Sequence, residues 1–283
     1  MRLRMPGLSY GNCAPLLMES LKTGLKRNKY VAKIFARIKT VYFHMRHAPQ
    51  GASQSNESEI LDLLIQTHVN IPKTFVEFGF SGWELNCVGL CNSKEWVGLL
   101  IDADPYNCWI AQTRFSKLID TKIAWITKDN IKVLVKSWLE GRSLGVLSID
   151  VDGNDYWLLN ELSDINPSIV VMEYNSAFGI RCISAIYDEN FDRREKHKRW
   201  TYFGASLTMI SEFLCEQGYS LVAISASGVN AFFLRNDLLS SDDKVLDPVH
   251  SFKDSFKIKG TSSSQAEWEY IKLLSYARRQ HDS

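Results

Sequence analysis

The chain has 283 residues, 45% of them hydrophobic and 23% charged, with a formal charge of +1. That length and balance suit a soluble globular protein built as one large domain with extensions, or as two small ones. A near-neutral total excludes general attraction to nucleic acid, and no apolar run reaches the ~20 residues that cross a bilayer.

The charge is uneven. Residues 1–50 carry ten basic side chains and one acidic one, Glu19. Ile34, Phe35, Ile38, Val41 and Tyr42 recur there at helical spacing. Two readings stand for this basic extension, residues 1–55 with their linker. It is a helix packed on the core or on a second copy, in a homo-oligomer, with its charges solvated. Or residues 1–47 touch anionic lipid at the inner membrane face. The six cysteines form no disulfide framework and no leader core separates Arg4 from Glu19, so a cytoplasmic location is expected.

After the polar linker from Ala48 to Ser58, Asn56 and Glu59 predict a capping box for a helix carrying Ile60, Leu61, Leu64 and Ile65. Residues 56–240 then alternate strands and helices. Strands are predicted at 74–78, 96–101, 122–126, 146–149 and 168–173, with helices near 83–91, 106–118, 130–139 and 155–162. A long polar insertion, 176–201, precedes a helix near 205–217 and a hairpin of strands at 220–224 and 230–234. The pattern predicts a Rossmann-like, doubly wound seven-stranded sheet whose last strand is antiparallel. In the tail, 241–283, Ser264 and Glu267 predict a second capping box and a helix with Trp268, Ile271 and Leu274.

The run Val76-Glu77-Phe78-Gly79-Phe80-Ser81-Gly82-Trp83-Glu84-Leu85-Asn86 ends a strand at glycines, where backbone amides can approach a ligand. About twenty residues on, Asp102 ends the next strand, where a carboxylate can hold ribose hydroxyls. The chain lacks both G-x-G-x-x-G and G-x-x-x-x-G-K-[ST]. Glu77 with the loose pair Gly79 and Gly82 suits S-adenosylmethionine, whose cationic tail needs acceptors rather than a phosphate cradle. Asp129 and Asn130 stand where adenine contacts would fall, or they cap the following helix.

The densest chemistry lies in Ile149-Asp150-Val151-Asp152-Gly153-Asn154-Asp155-Tyr156-Trp157. Strand ends face the ligand crevice in a doubly wound sheet. Asp150 and Asp152 therefore meet Glu173 and Asn175, from the next strand end, as an oxygen set suited to Mg²⁺ or Mn²⁺. Asp152 or Glu173 can otherwise act as a metal-free base, and the bland alternative is that Asp150 and Asp152 bind turn amides. The basic stretch around His197, with Arg193, Arg194 and Lys196, reads either as a solvated loop or as a lid gripping an anionic or sugar acceptor.

These segments, with Glu173-Tyr174-Asn175, Phe178-Gly179, Tyr202-Phe203-Gly204-Ala205-Ser206-Leu207 and Gly228-Val229-Asn230-Ala231-Phe232-Phe233, resemble the FkbM-type branch of class I S-adenosylmethionine-dependent methyltransferases. The resemblance covers roughly residues 70–240. Phe80 and Ser81 depart from the small or acidic residues common between the motif glycines. The resemblance implies O-methylation of a sugar hydroxyl in a surface polysaccharide or glycan precursor. Two rivals remain: a metal-dependent glycosyltransferase using Asp150 and Asp152 as a DxD motif, and an inactive Rossmann-like scaffold.

Overall fold

Three five- or four-residue runs with no polar face form the centre of the sheet: β1 (Thr74–Phe78), β4 (Val146–Ile149) and β5 (Ile169–Glu173), each buried along its whole length. Strands of this kind need a sheet covered on both sides, as parallel sheets usually are. The computed structural model describes residues 53–197 and 200–252, and the backbone of 275–277. The basic N-terminal helix and the Ser264–Glu267 capping box lie outside the described residues.

With β2 (Val97–Asp102), β3 (Ile119–Ile123), β7 (Tyr219–Ile224) and β8 (Asn230–Arg235), the sheet order is β3-β2-β1-β4-β5-β8-β7. The first five strands pair in parallel, and β8 is antiparallel to both β5 and β7. This is the expected Rossmann-like, doubly wound seven-stranded sheet. The hairpin places the last of the seven strands inside the sheet and leaves β7 at the edge.

Helices cover the two faces. On one side α1 (Glu57–Thr67), α2 (Val88–Asn92) and α3 (Pro105–Arg114) pack Leu61, Leu90 and Cys108 on Phe75, Leu100 and Phe232. On the other, α4 (Ile131–Leu139), α5 (Asp155–Glu161) and α7 (Leu207–Glu216) pack Val135, Tyr156 and Phe213 on Val76, Ile101 and Phe233. The intervening α6 is a single turn, Arg193–Lys196.

Four local expectations change. The third strand starts three residues earlier than predicted, because at the sheet edge only Ile119 is buried and the apolar run after it turns into the next loop. The helix expected at 83–91 shrinks to α2, since Ser81 takes the amides of residues 83 and 84 and Glu77 those of 86 and 87 into a loop. Asn56 caps nothing; its side-chain oxygen accepts from Ala226 N at 2.7 Å. The insertion is not a plain polar loop. It holds β6 (Ile183–Ala185), paired antiparallel with β9 (Ser275–Ala277), over a small core of Phe178, Ile183, Phe191, Tyr202 and Phe203.

Gly98 in β2 exists to admit a ring. A Cβ there would lie 2.1 Å from Phe75. Gly98→Ala should cost about 1–3 kcal/mol by overpacking. Adding Phe75→Leu should recover part of that loss in a double-mutant cycle by urea denaturation; additive effects would show that the two positions do not compete for space.

Candidate active site

A cleft of about 770 Å³ opens at the carboxyl ends of β1, β2, β4 and β5. In an open α/β sheet this is the edge where connections part to either face and ligands bind. Its wall at β2 is Asp102, half-buried, whose Oδ1 accepts from Asp104 N at 2.7 Å and Asn107 Nδ2 at 3.2 Å, and whose Oδ2 accepts from Phe80 N at 3.2 Å. Burial raises its pKa, while these donors pull it back. A carboxylate offers about four acceptor positions, so one on Oδ2 remains for a ligand hydroxyl.

At the β1 end, Gly79 (φ +68) stands so near β4 that a Cβ would fall 1.7 Å from the carbonyl oxygen of Asp150. Its need for glycine is close strand packing at the cleft floor. Gly82 is not among the cleft-lining residues. Its amide is held by Asn107 Oδ1 at 3.2 Å and a Cβ would meet Ile110, so the expected cofactor contact at Gly82 is replaced by a helix contact. Glu77 and Asn86 do line the cleft. The buried Glu77 carboxylate accepts from Asn86 N (2.7 Å) and Cys87 N (3.0 Å), and burial lifts its pKa to about 7.

Asp129 and Asn130 are also absent from the lining, which is formed at that wall by Ala124, Trp125 and Ile126. The Asn130 amide closes its own loop, accepting from Thr127 N and donating to Trp125 O, both at 2.9 Å, and it does not cap α4. The apolar residues just past the strand were the better pointer to this wall.

Across the cleft, Asp150, Asp152 and Glu173 bring carboxylate oxygens within 4.8 Å of one another. Asn175 does not join them. It is fully buried, with Nδ2 donating to Thr201 O (2.9 Å) and Phe203 O (2.8 Å) and Oδ1 accepting from Ala177 N (2.9 Å). His197 is likewise buried, 3.0 Å from Thr201 Oγ1, and lies outside the cleft lining. Turn amides fall to Asp155, which accepts from Val151 N (2.8 Å) and Gly153 N (2.9 Å) with its pKa raised to about 6 by burial.

The insertion is sewn onto this loop. Asn154 donates to Asp188 O and accepts from Asp188 N. Phe191 fills the space a Cβ on Gly153 would need, Gly204 N donates to Gly153 O, and Trp157 Nε1 donates to Ala185 O. Arg193 pairs with Asp152 while lying 3.8 Å over the Phe203 ring. Thus Arg193, Arg194 and Trp200 reach the cleft, while Tyr187 packs on Trp157 and Tyr202 is buried on Phe178 and Phe191.

No protein-family model matches the chain, and no curated protein matches it. Among solved structures, it is similar to a candidate O-methyltransferase from Klebsiella pneumoniae at 14% identity, with 77% of this chain and 94% of that one covered and a TM-score of 0.43. Cofactor-bound Rv0187 from MTB matches at 11% identity, over 82% and 99% of the two chains, TM-score 0.43. A SAM-dependent methyltransferase from Geobacter sulfurreducens in complex with S-adenosyl-L-homocysteine matches at 11%, over 64% and 70%, TM-score 0.38. Among the described residues no helix is long and apolar enough to cross a membrane.

Glu77 gives the site a pH signature. Its raised pKa means the folded chain holds more protons than the unfolded one between its usual 4.5 and about 7. Its contribution to stability therefore falls as pH rises through that window, by roughly 3 kcal/mol. Glu77→Gln should abolish this component, so the wild-type advantage over the variant shrinks from pH 4.5 to 7 in denaturant titrations. A difference constant with pH would mean that the Glu77 carboxyl titrates normally.

Proposed function

We propose that the chain is an S-adenosylmethionine-dependent O-methyltransferase acting on a sugar hydroxyl. The observation that carries this reading is a cleft with Asp102 at one strand end and the Asp150, Asp152 and Glu173 carboxylates across it. The first suits ribose hydroxyls; the second suits a hydroxyl that must lose a proton. The acidic lining also favours a cofactor whose reactive end is cationic. In the transfer, the acceptor oxygen forms a bond to the methyl carbon as the carbon–sulfur bond breaks. The sulfonium becomes a neutral thioether and the hydroxyl proton passes to a carboxylate.

Asp150 and Glu173 are the proposed bases, being held where they line the cleft. Asp152 is engaged by Arg193, on an exposed side chain. Exposed pairs of this kind contribute only ~0–1 kcal/mol, so a ligand can displace Arg193 at small cost. The same three carboxylates form a hard-oxygen set that fits Mg²⁺ or Mn²⁺, which would lower the pKa of an acceptor hydroxyl. The cover supplies Arg194 and the exposed indole of Trp200 for an anionic, lipid-linked or otherwise acidic glycan.

Calorimetry with S-adenosylhomocysteine and a panel of nucleotide sugars tests the class. Binding of the first and not the second is expected, and the reverse would favour the DxD glycosyltransferase. Asp102→Ala should weaken S-adenosylhomocysteine by about 1.5–3 kcal/mol. Arg194→Ala should weaken an acidic glycan acceptor while leaving that affinity unchanged; equal acceptor affinity would remove Arg194 from recognition.

Metal assistance has its own test. Exhaustive EDTA treatment should abolish turnover and added Mg²⁺ or Mn²⁺ should restore it. Activity that survives chelation leaves the carboxylates as a metal-free base.

A further inference from the structure

A layer of polar groups not used by the cleft chemistry lies between the sheet and α1–α2. Strand alternation brings Glu77 (β1), Ser148 (β4) and Asn230 (β8) to the face shared by Phe75, Val146 and Phe232. Glu77 is the register partner of Ser148, and Asn230 that of Glu173. Asn86 turns its side chain into this layer, donating from Nδ2 to Ser148 Oγ at 3.1 Å and accepting at Oδ1 from Asn230 Nδ2 at 3.3 Å. Asn230 Nδ2 also reaches Glu57 Oε1 at 3.4 Å, and the other Glu57 oxygen accepts from Ser55 N at 2.7 Å. Glu57, Ser148 and Asn230 are fully buried.

Such a layer is costly. The hydrogen bonds of Glu57 and Glu77 come from backbone amides, an asparagine amide and the Cys87 thiol, with no cation among them. Apolar side chains at these positions would pack the α1 face more cheaply. Asn230 Oδ1 even lacks a donor among the described residues. What the layer provides is a fixed loop. Glu77 holds the amides of residues 86 and 87, Asn230 holds the Asn86 side chain, and Ser81, Glu84, Leu85 and Asn86 wall the cleft. Along the sheet order, Ala124–Ile126 and Asp102 occupy the β3–β2 side, and this loop stands between them and the Asp150 group.

We infer that Glu57 and Asn230 are positioning residues, which act through Asn86 to hold the Ser81–Cys87 loop in the shape that receives the amino-acid end of the cofactor. This rests on the methyltransferase reading and deepens it. A network that only stabilised the fold would affect every adenosine ligand alike. One that sets this loop affects ligands with the amino-acid tail.

The experiment measures affinities of full-length wild type, Asn230→Ala and Glu57→Gln for S-adenosylhomocysteine and for methylthioadenosine, which lacks the tail. Tyr219→Phe, losing the hydroxyl that donates to Pro167 O at 2.6 Å, controls for loss of a buried hydrogen bond elsewhere. Both network variants should bind S-adenosylhomocysteine about tenfold more weakly with methylthioadenosine within about twofold, and the control should change neither. Equal loss for both ligands, or no loss for either, overturns the inference. Should Asn230→Ala not fold, Glu57→Gln, which keeps side-chain size and one acceptor oxygen, decides alone. A wild type that binds neither compound overturns the methyltransferase reading itself, and the inference with it.

Discussion

The buried carboxylate of Asp155 holds the loop after β4 by accepting the amides of Val151 and Gly153. The β4 side of the cleft is shaped by that grip. It bends the chain so that Asp152 sits at φ +58, a left-handed conformation that costs an L-residue about 1–2 kcal/mol. It presents Gly153 bare to the Phe191 ring and directs the Asn154 amide at the backbone of Asp188. Burying the carboxylate raises its pKa, and the surrounding amides limit the rise. Because Asp155 takes the turn amides, Asp150 and Asp152 are left at the cleft with Glu173.

The cover over the cleft is a built part of the domain. Its rings form their own small core, and Asn175 joins it to the sheet by two hydrogen bonds to the carbonyls of residues 201 and 203. Buried amide contacts of this kind are expensive to leave unmade, which favours a docked cover over one that swings as a lid. The Arg193–Asp152 pair, with Asp152 mostly exposed, is one of the weaker seams. Ligand-dependent change at the rim is cheap there.

Charge in the cleft is lopsided. Glu77, Glu84, Asp102, Asp150, Asp152, Glu173 and Asp192 line it against Arg193 and Arg194, and Asp152 neutralises one of those arginines. A field of that sign attracts a cationic cofactor and a metal ion, and it opposes an acceptor that carries negative charge deep in the site. On the proposed function, an acidic glycan would enter with its hydroxyl inward and its anion at the arginine rim.

Most of the sheet was legible in the chain alone. Runs buried on both faces call for helices on both sides of the sheet, and regular βα spacing makes most of its neighbours parallel. The sequence also placed Glu77, Asp102, Asp150, Asp152 and Glu173 at strand ends, and all five line the cleft. What the neighbouring polar residues do depends on the fold around them. Asn175 and His197 share the chemistry of a ligand set, yet their partners at residues 201 and 203 come from the folded cover. Asn130 is claimed by its own loop, and Gly82 by α3. Glu57, Asn86 and Asn230 meet across 173 residues of chain. Spacing along the chain reports which residues share a strand end, whereas the side-chain partner depends on segments that arrive from far away.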